Sequence, residues 1–215
     1  MILSSLIVGC FSLWGTAHAL GQQPVIAFNY SQGNLKLAGP GTPAGTILLD
    51  SADWPAVLRA AGDLAADFGR VTGTNLTKTV INGTVASSAV SNNGPVIIAG
   101  TIGNSSLINF LVQSGKIDVS ATEGQWEAFQ TEIVDNPIPG ISQALVISGS
   151  DKRGTIYGLY DISEQIGVSP WYWFADVAPA QHQEIYALNT KKVQGSPSVK
   201  YRGFFINDEA PALTN

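Results

Sequence analysis

The chain has 215 residues, of which 45% are hydrophobic and only 13% are charged, and its formal net charge is −5. Charged residues usually make up about a quarter of a globular protein, so this low share excludes an intrinsically disordered chain. The acidic balance, with no basic cluster longer than Lys152-Arg153 or Lys191-Lys192, excludes a general nucleic-acid binder. The length is sufficient for one or two domains with a real core.

The first nineteen residues carry no charged side chain. An apolar stretch from Leu3 to Trp14 is too short to span a bilayer, and it precedes the small residues of Ala17-His18-Ala19, as in a secretory signal peptide. A bacterial lipobox ending at Cys10 is the alternative, although its apolar region would be about five residues, shorter than usual. We expect a signal peptide over residues 1–19 and a secreted, extracellular protein. No later apolar run is long enough to cross a membrane, so no membrane is expected as a partner.

Removal of residues 1–19 leaves no cysteine and one histidine, His182. Disulfides, thiolate chemistry and a zinc site built from His and Cys are thereby excluded. His182 lies in a polar stretch and is expected to be a solvated loop residue. Acid–base chemistry must then use carboxylates, and no metal or cofactor is expected.

Four Asn-x-Ser/Thr sequons remain in the mature chain. Beside a signal peptide they favour N-glycosylation of a secreted eukaryotic protein. The candidate asparagines are Asn29, Asn75, Asn82 and Asn104.

The first structural unit begins with an apolar strand over residues 46–49. A helix follows, with Ser51 or Asp53 as its N-cap and Pro55 in its first turn. Apolar residues at helical spacing predict one buried face: Trp54, Val57, Leu58, Ala61, Leu64, Ala65 and Phe68. A strand over residues 77–81 ends at the turn Asn82-Gly83.

The second unit repeats this alternation with a buried strand at residues 95–100 and a short helix capped by Asn104 or Ser105. Strands at 129–133 and 144–147 follow, separated by a turn rich in proline. Strands that alternate with helices predict an α/β or α+β domain and exclude an all-β barrel. The order of the strands is not readable from the sequence.

The third unit is a strand that enters a Gly-Ser-Asp turn, after which Asp151 is expected to cap a helix ending at Gly167. The predicted buried face of this helix consists of Ile156, Leu159, Tyr160, Ser163 and Ile166. A glycine-containing turn before a helix can also bind an anion. The spacing nevertheless matches no nucleotide-binding fingerprint, so a capped, packed helix is favoured.

Four consecutive aromatic residues, Trp171 to Phe174, come next. They either fill the core or form a platform on which sugars stack, and the sequence alone favours the core. A short strand at 184–188 precedes the final segment, in which a predicted strand ends in Asn207-Asp208-Glu209.

Three motifs in order carry a resemblance to a known family. The run from Gly149 to Glu164 resembles the last helix of the non-catalytic domain that precedes the barrel in exo-acting glycosidases, such as hexosaminidases and α-glucuronidases. Together with Ser-Pro-Trp-Tyr-Trp-Phe-Ala-Asp-Val at 169–177 and Lys-Tyr-Arg-Gly-Phe-Phe-Ile-Asn-Asp-Glu-Ala-Pro-Ala-Leu at 200–213, it is similar specifically to glycoside hydrolase family 115, the xylan α-1,2-glucuronidases. The detailed match covers residues 145–215.

The resemblance implies an N-terminal α/β domain over residues 20–195 and, over residues 196–215, the first strand of a (β/α)8 barrel. Barrel enzymes of this family are several times longer, so the 215 residues are expected to be a truncated, inactive fragment. Only a full-length enzyme is expected to form oligomers. The implied activity is removal of glucuronic acid or its 4-O-methyl form from glucuronoxylan or its oligosaccharides, with inversion.

The implied site lies at the carboxyl end of the barrel strand, where barrel enzymes place their catalysts. Asp208 is the candidate catalytic carboxylate, with its partner on another strand because adjacent strand residues point to opposite faces. Asn207 and Glu209 are candidate substrate contacts. Arg153, with Arg202, is a candidate for bidentate pairing with the glucuronate carboxylate, although surface ion pairs are the alternative.

Trp171 and Trp173 complete the candidate substrate-binding residues. Two other interpretations remain open. One is the leading domain of a related barrel glycosidase that acts on another sugar. The other is a self-standing carbohydrate-binding or interaction domain that uses Trp171, Tyr172 and Trp173.

Overall fold

A computed structural model describes residues 23–83, 94–203 and 205. The signal peptide expected at 1–19 and the Cys10 alternative lie outside the described residues. The strands and helices in chain order are β1 (Ile26–Ala27), β2 (Leu35–Ala38), β3 (Thr46–Asp50), α1 (Pro55–Thr72), β4 (Thr77–Ile81), β5 (Val96–Thr101), α2 (Ser106–Gln113), β6 (Phe129–Asp135), β7 (Gln143–Gly149), α3 (Lys152–Gln165), α4 (Tyr172–Ala175), β8 (Ile185–Ala187) and β9 (Lys192–Gln194).

A six-stranded mixed sheet organises the domain, with strand order β4-β3-β5-β7-β6-β9. β4, β3, β5 and β7 run parallel, whereas β6 lies antiparallel to both β7 and β9. The predicted alternation of strands and helices is therefore confirmed as a mixed α/β architecture. The strand order is the part that only the structure supplies.

Both faces of β3, β5 and β7 are covered. Ile47 and Leu49 of β3 pack into a core shared with α1 and α3, whereas Leu48 packs into a second core with α2. Successive strand residues point to opposite faces, so an uninterrupted apolar run is what a doubly covered strand requires. This explains why the apolar runs predicted as strands in the sequence were located correctly.

Helix α1 begins with Pro55 in its first turn, as predicted, and ends at Gly73 in the left-handed conformation (φ 81°). The predicted N-caps, Ser51 and Asp53, are wrong: Trp54 is the N-cap and makes no side-chain capping bond. The carboxylate of Asp53 instead accepts hydrogen bonds from the Trp54 and Thr101 N–H groups, both at 2.7 Å. Trp54 was also predicted to be in the core, but it is 45% exposed because it precedes the helix and lies against Lys152.

Helix α3 lies unusually close to the sheet because of two glycines. A Cβ on Gly154 would come within 2.1 Å of the Ala128 carbonyl oxygen, and one on Gly158 within 2.7 Å of Ile147. The predicted capping by Asp151 is confirmed, since its carboxylate accepts from Gly154 N–H at 2.7 Å. The prediction that Tyr160 faces the core is wrong. The side of α3 that contains Gly154 and Gly158 faces the sheet, and Tyr160 is 41% exposed.

Helix α2 is joined to the end of β3 by a buried carboxylate. The predicted cap Ser105 accepts from Ile108 N–H, and the neighbouring Ser106 N–H donates to Asp50 at 2.6 Å. Burial alone would raise the pKa of Asp50, but hydrogen bonds from the N–H groups of Ala52 and Ser106 outweigh it and hold the pKa below its ordinary value. Asp50 therefore contributes stability in its charged form.

A separate three-stranded sheet of order β1-β8-β2 packs against the α1 and α3 side of the main core. The predicted strand at 184–188 is its central member. His182, which precedes β8, is half-buried and stacks on Phe28 with ring centroids 3.4 Å apart. His182 therefore lies in a loop, as expected, but it is only partly solvated because the aromatic contact covers one ring face.

Beyond β9, the described residues 195–203 and 205 form no helix or strand. The rest of the predicted barrel strand, including Asn207, Asp208 and Glu209, lies outside the described residues, so the barrel stays a prediction. None of the helices within 23–83 and 94–203 combines the length and the apolar character needed to cross a bilayer.

Leu159 tests whether residues 20–195 fold as one cooperative unit. Its side chain is fully buried between α3 and the sheet, so Leu159→Ala is expected to lower the free energy of unfolding by about 2–5 kcal/mol. The exposed Val193→Ala change is expected to cost less than about 0.5 kcal/mol. Urea denaturation monitored by circular dichroism measures both, and a non-cooperative transition or equal effects would contradict this prediction.

Asp50→Asn tests the link between β3 and α2. Because the folded-state pKa is lowered, the stabilisation is complete above the unfolded pKa of about 3.9 and disappears as the pH falls through the folded pKa. The variant is expected to be less stable than the parent by about 1–3 kcal/mol at pH 7, and the difference should shrink below about pH 4. Urea melts across this range measure it, with the exposed Asp135→Asn as control. A difference that does not depend on pH would refute the assignment.

Candidate functional site

A cleft with a volume of about 770 Å³ is lined by the described residues. It lies on the outer side of α3, between that helix, α1, the aromatic segment and β9. The side chains that line it come mainly from these elements: Arg59, Asp63, Asp67, Arg70, Tyr157, Tyr160, Asp161, Glu164, Tyr172, Trp173 and Lys192, with Glu127 and Arg202 at one end.

Opposite charges alternate along the α1 wall of this cleft. Arg59 faces Asp63 at 3.8 Å, and Arg70 binds Asp67 at 2.5 Å. Tyr160 of α3 donates a hydrogen bond to Asp63 at 2.7 Å. Burial, followed by this hydrogen bond, raises the pKa of Tyr160 to about 12, so it stays protonated and keeps the two helices connected.

A buried ion pair joins α3 to the edge strand β9. Lys192 Nζ lies 2.6 Å from Asp161 Oδ1, and the two side chains are only 2% and 8% exposed. Burial raises the pKa of Asp161, although Lys192 and Gln165, which both donate to it, act in the opposite direction. No pattern in the sequence indicates this pair, since Lys192 has the surroundings of an ordinary surface lysine.

Two arginines share one buried carboxylate at the other end of the cleft. Arg153 Nε lies 3.0 Å from Glu127, and the Arg202 guanidinium donates to the same carboxylate. Both arginines also donate to the Tyr157 hydroxyl, at 2.8 and 3.2 Å. The hydrogen bond to Glu127 raises the pKa of Arg202 further. Two guanidinium groups thus share the Glu127 carboxylate, and the Asp151 carboxylate lies next to it at the Glu127 N–H.

The backbone at Glu127 is itself unusual. Its φ of 54° lies in the left-handed region, which residues with a side chain rarely adopt. Its N–H donates to Asp151 at 2.9 Å, which places its carboxylate towards both arginines. Such outliers concentrate at functional sites because surrounding contacts must hold them. Sequence reasoning missed Glu127 completely.

The aromatic segment lies at the surface, contrary to the prediction that favoured the core. Trp171, Trp173 and Phe174 are 55%, 76% and 81% exposed. The guanidinium of Arg70 lies 5.2 Å from the Tyr172 ring centroid and 5.7 Å from that of Trp173. The segment thus packs against the end of α1, and its outer ring faces remain open.

The candidate residues are only partly brought together. Trp173 and Arg202 line the same cleft, whereas Trp171 and Arg153 lie outside its lining. Asn207, Asp208 and Glu209 lie outside the described residues, so their roles stay predictions. The ion-pair alternative for Arg153 and Arg202 is the arrangement observed.

The Gly-Ser-Asp turn before α3 does not present free N–H groups to an anion. Asp151 accepts from the N–H groups of Gly154 and Glu127. Asp50 occupies the corresponding position before α2 by accepting from Ser106 N–H. In both places the chain's own carboxylate takes the position that a phosphate would need.

The buried ion pair between Lys192 and Asp161 gives a stability prediction. Lys192→Met leaves Asp161 as an uncompensated buried charge, which is expected to cost about 3–5 kcal/mol. The double variant Lys192→Met, Asp161→Leu is expected to recover most of this loss, because no charge then remains buried. Arg59→Met, in the exposed pair, should cost no more than about 1 kcal/mol. Urea melts compare the variants, and a double variant as unstable as the single one would disprove the pairing energetics.

Within the described residues, no cluster of three or more His, Cys, Asp or Glu side chains is arranged to hold a metal ion. No protein-family model and no curated protein sequence matches the chain.

Comparison with solved structures finds a family GH115 4-O-methyl-α-glucuronidase with specificity for decorated arabinogalactans. It is 34% identical to the chain and covers 82% of it with a TM-score of 0.62. CpGH84D (8% identity, 76% of this chain, 22% of that one, TM-score 0.41) and a mutant β-hexosaminidase of Streptomyces plicatus (12%, 77%, 23%, 0.39) also match. The chain covers 20% of the glucuronidase. The described domain therefore has the fold of about a fifth of a family GH115 glycoside hydrolase.

Proposed function

We propose that residues 20–195 are the leading, non-catalytic α/β domain, and residues 196–215 the first barrel strand, of a secreted family GH115 α-glucuronidase that removes glucuronic acid, or its 4-O-methyl form, from xylan with inversion. The observation that carries the proposal is the 34% identity to a GH115 glucuronidase over 82% of the chain. The identity compares the two sequences and the TM-score of 0.62 compares the two folds, so both kinds of comparison support the proposal. The motifs at 149–164, 169–177 and 200–213 point to the same family.

In this proposal the cleft borders the catalytic centre. Arg202 lies in its lining, held by Glu127 and Tyr157. Asp208, the proposed catalytic carboxylate, follows Arg202 by six residues, a stretch of chain that reaches at most about 22 Å. Asn207 and Glu209 are proposed to contact the sugar from the same segment. The second catalytic carboxylate is assigned to a barrel strand.

The Arg202 guanidinium in the cleft lining supports recognition of an acidic sugar. It shares Glu127 with Arg153, which lies outside that lining, and a guanidinium can pair with the carboxylate of a sugar through two hydrogen bonds. The exposed face of Trp173 offers a stacking surface for the neighbouring sugar rings. An acidic saccharide matches this combination better than a neutral one does.

A second candidate is a carbohydrate-binding domain without any enzyme activity. The observation that favours it is the exposure of Trp171 and Trp173 on one short segment. This candidate requires measurable affinity of the chain by itself for the polysaccharide, whereas a leading domain needs its catalytic partner domain to complete the site. Binding therefore distinguishes the two.

The 215-residue chain is expected to release no glucuronic acid from glucuronoxylan. Glycoside hydrolysis requires two carboxylates on either side of the bond. The adjacent Asp208 and Glu209 would point to opposite faces of one strand, so in this proposal the second carboxylate comes from another barrel strand. In a longer protein that contains this domain, Asp208→Asn is expected to lower the rate by about 10²–10⁴-fold. Chromatographic detection of the released acid measures both.

Asp135→Asn, an exposed carboxylate at the end of β6, is the matched control and should leave the rate unchanged. Turnover by the 215-residue chain would contradict the leading-domain proposal. Retention of this chain on immobilised glucuronoxylan, abolished by Trp173→Ala, would favour the carbohydrate-binding candidate instead. Unchanged activity of Asp208→Asn would remove Asp208 from the catalytic centre.

A further inference from the structure

Strand β4 forms one edge of the six-stranded sheet, and no strand in the described part of the chain pairs with its outer side. Among the described residues it pairs with β3 alone. Thr77 N–H donates to Gly45, and the Ile81 carbonyl accepts from Ser51, so these residues direct their backbone groups towards β3. The intervening Lys78 and Val80, whose side chains are exposed, direct theirs outwards. Such an edge can pair with a second chain.

The usual protection of an edge strand is weak in β4. Five residues of sequence Thr-Lys-Thr-Val-Ile include three β-branched types and one charge. That charge does not stand at the edge, because Lys78 Nζ reaches back to the Leu58 carbonyl of α1 at 3.3 Å. The opposite edge, β9, is only three residues long. Its short length protects β9 from pairing with a second chain, whereas the longer β4 requires another form of protection.

Asn75 lies two residues before β4 and begins the sequon Asn75-Leu76-Thr77. It is exposed, and so is Thr77. A Cβ on Gly69 would lie 1.6 Å from the Asn75 amide oxygen, so the absence of a side chain at Gly69 lets this oxygen rest on α1.

The other sequons differ in their surroundings. Asn104 is half-buried in the turn before α2, where its sequon residue Ser106 donates its N–H to Asp50. Asn29 is exposed, but it follows β1 of the separate three-stranded sheet. Asn82 is exposed at the carboxyl end of β4. Exposure therefore favours every site except Asn104, and Asn75 is the one whose amide is oriented by a specific contact.

We propose that Asn75 is N-glycosylated and that its glycan covers the outer edge of β4, which prevents pairing between copies of this chain. The Asn75 amide nitrogen loses a proton and bonds to C1 of an N-acetylglucosamine. The donor is a polyprenyl-pyrophosphate oligosaccharide, and its C1–oxygen bond breaks with the polyprenyl pyrophosphate as leaving group. The inference rests on the proposed secretion of the chain and does not depend on glucuronidase activity.

The test is secretion of the full chain from a yeast by means of its own leader. Peptide mapping after peptide-N-glycosidase treatment is expected to show Asn75 converted to Asp, with Asn104 unmodified. Thr77→Ala removes the sequon, whereas Thr77→Ser retains it at the same exposed strand position. Thr77→Ala is expected to self-associate at least about tenfold more tightly than Thr77→Ser in sedimentation and light-scattering measurements.

A chain retained in the cell without glycan, or a secreted chain unmodified at Asn75, would overturn the proposal. Equal self-association of the two Thr77 variants would overturn the shielding role, because these variants differ only by one hydroxyl group and by the glycan that the hydroxyl permits. Asn82→Gln serves to separate the contribution of the second sequon at this strand. None of these measurements depends on the release of glucuronic acid. The proposed enzyme function can therefore fail without changing their results.

Discussion

The close approach of α3 to the sheet is the contact on which the rest of the domain depends. Gly154 and Gly158 leave no Cβ between the helix and β6, β7 and the residues just before them. Any side chain at these positions would displace the helix, since protein interiors leave no space for the extra atoms. The close packing positions the outer face of α3 beside α1 and β9, and these three elements line the cleft. Packing on one face of this helix thus determines the geometry of the other.

The chemistry of the cleft follows from this position. Because α3 packs closely on the sheet, Asp161 lies near the edge strand β9 and pairs with Lys192. Tyr160 on the same helix donates to Asp63 of α1. Most charges in the cleft are consequently neutralised within the domain. At one end, two guanidinium groups share the Glu127 carboxylate. The cleft therefore combines these ion pairs with apolar side chains such as Phe129, Val168 and Trp173.

Local patterns in the sequence predicted most of the fold. The apolar runs of β3, β5 and β7, the capping residues Ser105 and Asp151, and the glycine after α3 are short-range signals, and the structure confirms them. The site was much less predictable because its contacts join distant parts of the chain. Glu127 meets Arg202 across 75 residues, and Asp161 meets Lys192 across 31. Nothing near either residue in the sequence indicates its partner.

The aromatic segment shows a second limit of sequence reasoning. Four consecutive large rings have the same composition whether they fill a core or lie at a surface, and hydrophobicity alone favours the core. What decides the outcome is that α1 and α3 already fill the space over the sheet, so Trp173 packs on Arg70 instead. The predictions for residues 207–209 stay untested, because those residues lie outside the described part of the chain.

The pairing of β1 with β8 also bears on how the chain matures during synthesis. Ile26 lies opposite Ala187, so partners about 160 residues apart must meet before the smaller sheet exists. At a translation rate of roughly 5–20 residues per second, β1 waits on the order of ten to thirty seconds for β8 to emerge from the ribosome. During this interval Val25 and Leu37, both buried in the finished domain, remain accessible to chaperones. The small sheet can thus be completed only late in synthesis, after β8 has left the ribosome.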